Sequence, residues 1–138
     1  MNPRARFIVM RDQDQGDCRI IKRSLAALCP VSHRPRTIVR IACHELESFY
    51  LGDLQAVESG LGVRGLAGKQ NKAKFRDPDR LSAPSRELEK LTGNRYQKIA
   101  GSRAIAPHLD LRAPRSRSFG HLLHAVRRAS LALHASAD

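Results

Sequence analysis

Aromatic residues are scarce in this sequence, and several types of segment are missing. Phe and Tyr make up 4% of the 138 residues and Trp does not occur, which argues against a platform that stacks the bases of single-stranded nucleic acid. No run approaches the ~20 apolar residues of a membrane span, and no secretory signal is visible. Cys18, Cys29 and Cys43 are too few and too irregularly spaced for a disulfide scaffold. We therefore expect reduced thiols in a cytoplasmic protein.

Basic residues are abundant and unevenly distributed. The net charge is +12, and 41% of the residues are hydrophobic, enough for one modest core. Residues 1–60 hold nine Lys or Arg and seven Asp or Glu, whereas residues 61–138 hold sixteen and six. A polyanion such as nucleic acid is the expected partner of the basic part. A solvated basic surface and a docking face for an acidic protein remain alternatives.

The hydrophobic pattern predicts an α/β fold with a parallel sheet in one domain over residues 1–138. The apolar run 7–10 indicates a strand buried on both faces, and residues 37–42 indicate a second strand. Ile21, Leu25 and Leu28 form the stripe of an amphipathic helix over 17–28. Short helices are expected at 44–51 and 53–61, the second capped by Asp53. These elements make residues 7–61 the α/β part.

The second half reads as a loop followed by a helical part. Residues 62–84 contain several glycines and basic residues, and their apolar residues show no periodicity. This pattern predicts a long basic loop. Helices are expected at 85–91 and 96–106, and a last helix begins after Ser116, so that 85–134 is mainly helical. Lys98, Arg103 and Arg117 lie near helix ends. The start of the last helix could bind a phosphate or could simply be a capped helix with solvated arginines.

The most informative pattern is Asp12-x-Asp14 at the carboxyl end of the first strand. In open α/β sheets ligands lie beyond the carboxyl ends of strands, and two carboxylates suffice for a largely hydrated Mg²⁺ (or Mn²⁺). An ordinary polar turn is the alternative. Asp17 is a candidate third ligand, although an N-terminal helix residue explains it as well. Glu45 and Glu47 follow the second strand, and at most one of them should face the site comfortably.

Other types of site have weaker support. Cys43 and His44 are adjacent, and His121 and His124 are three residues apart. The Cys and His residues do not, however, form the two spaced ligand pairs that are typical of a zinc site. The chain has no phosphate-binding loop of the Gly-x-x-x-x-Gly-Lys-Ser/Thr type. A serine or cysteine nucleophile has no visible base.

Four segments together resemble a bacterial family, domain of unknown function 4276, which has a Toprim-like fold and is often encoded beside an ATPase in defence gene clusters. The segments are FIVMRDQDQGDCRIIKRSLAALC, VRIACHELESFYLGDLQAVE, FRDPDRLSAPSRELEKLTGNRYQKIAGSRAIAPHLDL and RSRSFGHLL. The resemblance extends from about Phe7 to Leu123.

The resemblance implies a Toprim-like parallel sheet with flanking helices and a Mg²⁺ site for phosphodiester chemistry. Asp12 and Asp14 match the Toprim Asp-x-Asp, and Asp17 and Glu47 match acids typical of the family. The Toprim Glu precedes that pair, on an earlier strand. Only six residues precede Phe7 here, so we expect the fold to be incomplete at its N-terminus, with an exposed sheet edge that could support an oligomer.

Our first hypothesis is thus a Mg²⁺-dependent nuclease that acts with a separate ATPase, with genome defence as the implied context. Asp12, Asp14 and Glu47 are its candidate catalytic residues, and Asp12, Asp14 and Asp17 its candidate metal ligands. The backbone of the nucleic acid would be held by a set of basic residues, namely Lys69, Lys72, Lys74, Lys98, Arg103 and Arg117. The alternative is a non-catalytic module, a truncated Toprim-like protein that binds nucleic acid or another protein. A hydrolase of small phosphate esters has less support, because no pocket-forming set of aromatic or polar residues stands out.

Overall fold

The fold combines one small sheet with many helices, and a computed structural model describes it for residues 5–134. The strands are β1 (Phe7–Asp12) and β2 (Thr37–Ala42). The α-helices are α1 (Cys18–Leu28), α2 (Glu47–Leu51), α3 (Leu54–Leu61), α4 (Ala73–Arg76), α5 (Pro84–Leu91), α6 (Lys98–Ile105) and α7 (Arg117–His134). Short 3₁₀ turns span Val31–Arg36, Ala67–Lys69, Pro78–Arg80 and Ala106–His108.

The predicted parallel arrangement is confirmed. β1 and β2 pair in parallel, from Phe7 opposite Thr37 to Asp12 opposite Ala42, and α1 forms the crossover between them. In the described residues the sheet has only these two strands, and most of the chain is helical. The fold is therefore α/β with a minimal sheet.

The prediction that the first strand is buried on both faces is wrong. No residue of β1 is fully buried, and Met10 is 39% exposed. The predicted stripe of α1 is only half-covered, since Ile21 and Leu25 are partly buried while Leu28 is 80% exposed. The reason is that the main core does not lie on the sheet.

The core lies among helices α2, α3, α5 and α6. Leu51, Leu54, Val57, Leu88 and Ile105 are completely buried there. All five residues of α2 are buried, including Glu47 and Ser48. The carboxyl edge of the sheet thus leads directly into the most tightly enclosed helix of the protein, which is what fixes the acidic residues described below.

Residues 62–84 are folded, which corrects the prediction of a long loop. Two 3₁₀ turns and α4 occupy this segment, and Leu66, Phe75 and Pro78 are buried. Gln70 is also buried and bonds three main-chain groups from two neighbouring segments. Each helical piece is too short to produce a visible period, which explains why the sequence pattern did not reveal it.

The expected caps at the starts of α3 and α7 are observed, whereas α2 and α6 begin later than expected. The Asp53 side chain accepts from the Ala56 amide of α3, and Ser116 Oγ accepts from the Phe119 amide of α7. However, α2 begins at Glu47, three residues later than expected, and the amides of Cys43 and Leu46 before it donate to Ser118 Oγ and Asp12 Oδ1. Helix α6 begins two residues after Tyr96, whose side chain is buried in the core.

Two further observations concern the whole of the described chain. The three cysteines carry free thiols and are partly buried. Among residues 5–134, no helix has both the length and the apolar character that crossing a bilayer requires.

Gly60 sets the distance between α3 and α6, and we expect Gly60→Ala to destabilise the protein by about 1–3 kcal/mol through overpacking. A Cβ atom at this position would lie 2.6 Å from the Ala104 carbonyl oxygen and 2.7 Å from Ile105 Cα, both backbone atoms of α6. This clash opposes the gain in helix propensity of about 1 kcal/mol. Urea denaturation measures the change.

Gly68→Ala is the matched control for that substitution. A Cβ atom added at Gly68 would meet no heavy atom within 4 Å, so the stability of this variant should stay within about 0.5 kcal/mol of the wild type. A Gly60→Ala protein as stable as the wild type would contradict the close helix contact.

Candidate functional site

Asp12 ends β1 and lies at the carboxyl edge of the sheet, as predicted. Its partner across the sheet is Ala42, so the segment that follows β2 passes beside it. Asp12 Oδ1 accepts a hydrogen bond of 2.9 Å from the Leu46 amide. The carboxylate is therefore held between the end of the first strand and the approach to α2, with its second oxygen left for another partner.

The surroundings of Asp12 raise the pKa of its carboxyl group above the ordinary value. Burial is the largest cause, and the negative charges of Glu47, Asp14 and Glu45 add to it, whereas the Leu46 amide lowers the pKa. Within the described residues none of these four acids forms an ion pair with Lys or Arg. The edge of the sheet thus gathers negative charge that a proton or a cation would neutralise.

Glu47 is buried at the start of α2, with 4% of its surface exposed. The Tyr96 hydroxyl donates a hydrogen bond of 2.9 Å to Glu47 Oε1 and lies 3.2 Å from Ser102 Oγ. Burial is the largest cause that raises the pKa of Tyr96. The hydrogen bond to Ser102 lowers that pKa, and the hydrogen bond to Glu47 and the charge of Glu47 raise it further. Tyr96 and α6 therefore position Glu47, a contact between residues 49 positions apart that the sequence pattern could not indicate.

Glu45 points to a different part of the molecule. Its Oε2 accepts a 2.6 Å hydrogen bond from the Ser85 amide in the first turn of α5, a helix without a side-chain cap from its own flank. A carboxylate is favourable at a helix N-terminus, so Glu45 stabilises the start of α5. Glu45 lies before α2, which begins at Glu47, so the two side chains do not diverge by helical spacing as expected. That at most one of them faces the site stays a prediction.

Asp14 and Asp17 occupy the turn between β1 and α1. Asp14 has a positive φ of 52°; its amide donates to the His44 carbonyl oxygen at 2.8 Å, and its own carbonyl oxygen lies 2.9 Å from His44 Nδ1. Asp17 is exposed and caps α1, since its Oδ1 accepts from the amides of Arg19 and Ile20. Those bonds lower the pKa of Asp17. Asp17 thus lies at the start of the helix, as its alternative interpretation expected, although as the N-cap before Cys18 and not as a helical residue. Its role as a metal ligand stays a prediction.

The acids meet the chemical requirements of a magnesium site only in part. Their oxygens are the ligands that Mg²⁺ prefers, and Asp12 and Glu47 each have one oxygen without an assigned hydrogen bond. In residues 5–134, however, no three His, Cys, Asp or Glu side chains come together as a ready metal-binding group. The binding of Mg²⁺ or Mn²⁺ by these acids stays a prediction.

Comparison with known proteins identifies the family. The model of the family described as "Domain of unknown function (DUF4276)" matches residues 1–127. The chain belongs to this family. No curated protein and no solved structure matches the chain. The family has no assigned function, so the chemistry of this member has to be argued from its own residues.

The six basic residues that we predicted to hold nucleic acid lie on several elements of this DUF4276 protein. Lys69, Lys72 and Lys74 lie in the folded segment before α5, where Lys74 forms a 2.7 Å ion pair with Glu87. Lys98 and Arg103 lie exposed on α6, and Arg117 begins α7. Their shared role in binding stays a prediction.

The N-terminus of α7 already holds an anion of the protein itself. The Asp79 carboxylate accepts from Ser116 Oγ at 2.6 Å and from the Ser118 amide at 2.7 Å. The Asp79 carboxylate therefore occupies the position at the start of α7 where a bound phosphate was one of the two expectations from the sequence. In this family member the capped-helix alternative is the one observed.

Proposed function

We propose that this protein is a Toprim-like nuclease that cleaves phosphodiester bonds with the help of Mg²⁺ or Mn²⁺. The observation that carries the proposal is the half-buried carboxylate of Asp12 at the carboxyl edge of a parallel strand pair, which feels the negative charges of Glu47, Asp14 and Glu45 and pairs with no Lys or Arg among residues 5–134. Such an edge is where α/β proteins bind their ligands. Its excess negative charge favours a divalent cation.

Each acid has a separate part in the proposed site. Asp12, oriented by the Leu46 amide, and Glu47, oriented by Tyr96, would hold the cation, and Asp14 would contribute charge from the turn. A bound Mg²⁺ would neutralise charge on the scissile phosphate and orient the attacking water. The chain's basic residues would hold the backbone of the substrate without reading its sequence.

The family resemblance supports the wider context of the proposal. The family that the chain resembles is often encoded beside an ATPase in defence gene clusters, so we infer a separate ATPase partner and a role in genome defence. The location that we propose from the few, irregularly spaced cysteines is cytoplasmic. An oligomer through the edge of the two-stranded sheet is a further part of the proposal.

A second candidate function is a non-catalytic module that binds nucleic acid. It is favoured by the lack, in the described part of the chain, of three acids assembled around one point. Binding that weakens steeply with salt, without any turnover in Mg²⁺ or Mn²⁺, would favour this alternative.

Nicking of supercoiled plasmid DNA by the purified protein tests the nuclease proposal. We expect nicking in Mg²⁺ or Mn²⁺ that falls to the EDTA background in Asp12→Asn, because the substitution keeps an oxygen to accept from Leu46 but removes the charge that holds the cation. Asp110→Asn is the control, since the exposed Asp110 side chain accepts from Arg112, and the bond from the Asp110 amide to Asp53 does not depend on the side chain. Cation-dependent nicking that Asp12→Asn leaves intact would refute the proposed site.

A further inference from the structure

A cleft of about 550 Å³ follows the open edge of β2, between the first turns of α1 and α7. Three consecutive β2 residues, 39–41, line it. Because successive side chains of a strand point to opposite faces, a cleft that contacts all three must run along the edge of the strand. β1 pairs with the other edge of β2, so the cleft lies on the outer side of the sheet.

The walls of this edge cleft are strongly basic. Arg19 and Lys22 of α1, Arg40 of β2, Arg80, and Arg117 of α7 all line it. Its one acid is Asp79, and both oxygens of that carboxylate are engaged by the start of α7. Five bases therefore face this one carboxylate, and Arg117 is in addition paired with Asp77 at 3.5 Å. The cleft still keeps a positive excess among its described lining residues, so its occupant should be an anion with several charges.

Arg40 is held in place at the centre of the cleft. Its Nε donates to the His121 carbonyl oxygen at 3.0 Å, and its Nη1 donates to the Val39 carbonyl oxygen at 2.9 Å. These two bonds fix the plane of the guanidinium group and leave Nη2 without an assigned partner. A guanidinium fixed in this way loses little freedom when it binds a phosphate.

The same contacts disfavour a second β-strand as the occupant. The Val39 carbonyl oxygen is taken by Arg40, and the Cys43 amide donates to Ser118 Oγ at 3.3 Å. Part of the hydrogen-bonding capacity of this edge is thus already used, although strand addition depends on it. Among the described residues, no Phe, Tyr or Trp side chain lines the cleft, which favours contacts to phosphates over stacking on bases.

We propose that the edge cleft binds the phosphodiester backbone of one nucleic-acid strand. Its volume is in the range of small-ligand sites, roughly 300–1,000 Å³, which admits a single strand and not a duplex. Gln13, the residue between Asp12 and Asp14 in the sequence, lines the same cleft, whereas the two acids do not. We infer that a strand bound in the cleft would pass close to the acidic edge. Delivery to the acids rests on the proposed nuclease function, whereas binding in the cleft does not.

Fluorescence anisotropy with a labelled single-stranded DNA of mixed sequence, in EDTA, tests the cleft. We expect the double variant Arg19→Gln/Lys22→Gln to bind about tenfold more weakly and to reduce the slope of log K against log salt by about 1.4, since each lost phosphate contact on a single strand removes about 0.7. The control is Arg86→Gln/Lys90→Gln on α5, which removes the same charge from two exposed positions outside the cleft. Arg80→Gln, also exposed, is an independent cleft variant and should weaken binding in the same direction.

The outcomes separate the cleft from the nuclease. Equal losses in the cleft and control pairs, or wild-type protein that does not bind DNA at low salt, would overturn the cleft proposal. A cleft pair that changes the oligomeric state instead of DNA affinity would assign the cleft to a second copy of the chain and overturn it as well. Binding that depends on the cleft, together with wild-type protein that never nicks DNA, would retain the cleft and reject the nuclease.

Discussion

Gln70→Glu is expected to destabilise the protein by about 3–5 kcal/mol, the usual cost of an uncompensated buried charge. The Gln70 side chain is 8% exposed. Its Oε1 accepts from the Leu54 amide at 2.7 Å, and its Nε2 donates to the carbonyl oxygens of Leu51 and Phe75 at 3.1 and 3.0 Å. An ionised Glu accepts hydrogen bonds only, so it would face two carbonyl oxygens without a proton to offer.

Urea denaturation at neutral pH measures this loss, with Gln55→Glu as the matched control. Gln55 is exposed on α3, and the same change there should stay within about 0.5 kcal/mol. Acidification should narrow the gap between Gln70→Glu and the wild type, because the protonated carboxyl can donate one of the two lost bonds. A Gln70→Glu protein as stable as the Gln55→Glu protein would show that the segment 62–84 is not tied to the core through this side chain.

Gln70 also illustrates what the sequence could not reveal about the fold. The strand pair, the order of elements and the caps of Asp53 and Ser116 follow from local signals, namely apolar runs and capping residues, and the structure confirms them. The folding of residues 62–84 depends instead on a polar side chain that bonds main-chain groups between 5 and 19 positions away. No periodic pattern records such contacts.

The site shows the same division between local and distant contacts. The sequence placed Asp12 at the carboxyl edge because the edge follows from the strand that precedes it. The pairing of Glu47 with Tyr96 and of Glu45 with Ser85 depends on how α5 and α6 pack on α2.

The sequence did not reveal the edge cleft for a related reason. Arg19, Lys22 and Arg40 belong to the first 60 residues, in which the numbers of basic and acidic residues are nearly equal. Folding brings these three bases together along the cleft, which none of Asp12, Asp14 and Glu47 lines.

The negative charge around Asp12 at the sheet edge leads to the second large effect, the gain in stability that a divalent cation should give. If Asp12 helps to bind Mn²⁺, a concentration 100-fold above Kd should stabilise the wild type by about 2.7 kcal/mol, and Asp12→Asn should abolish this gain. Thermal melting with and without Mn²⁺ measures both. Asp110→Asn should keep the gain, and an undiminished gain in Asp12→Asn would exclude Asp12 as a ligand.

Without a cation, Asp12→Asn is expected to raise the stability of the folded protein at neutral pH. Folding raises the pKa of Asp12, so the folded state holds a proton more tightly than the unfolded state, and stability falls as the pH rises from the unfolded value, near 3.8, through the raised pKa. Asp12→Asn cannot ionise, so in EDTA it should melt at a higher temperature than the wild type at neutral pH, and the difference should disappear below about pH 3.8. A variant that is less stable than the wild type in EDTA at neutral pH would show that the charge of Asp12 is compensated within the chain. The acidic edge would then need no cation.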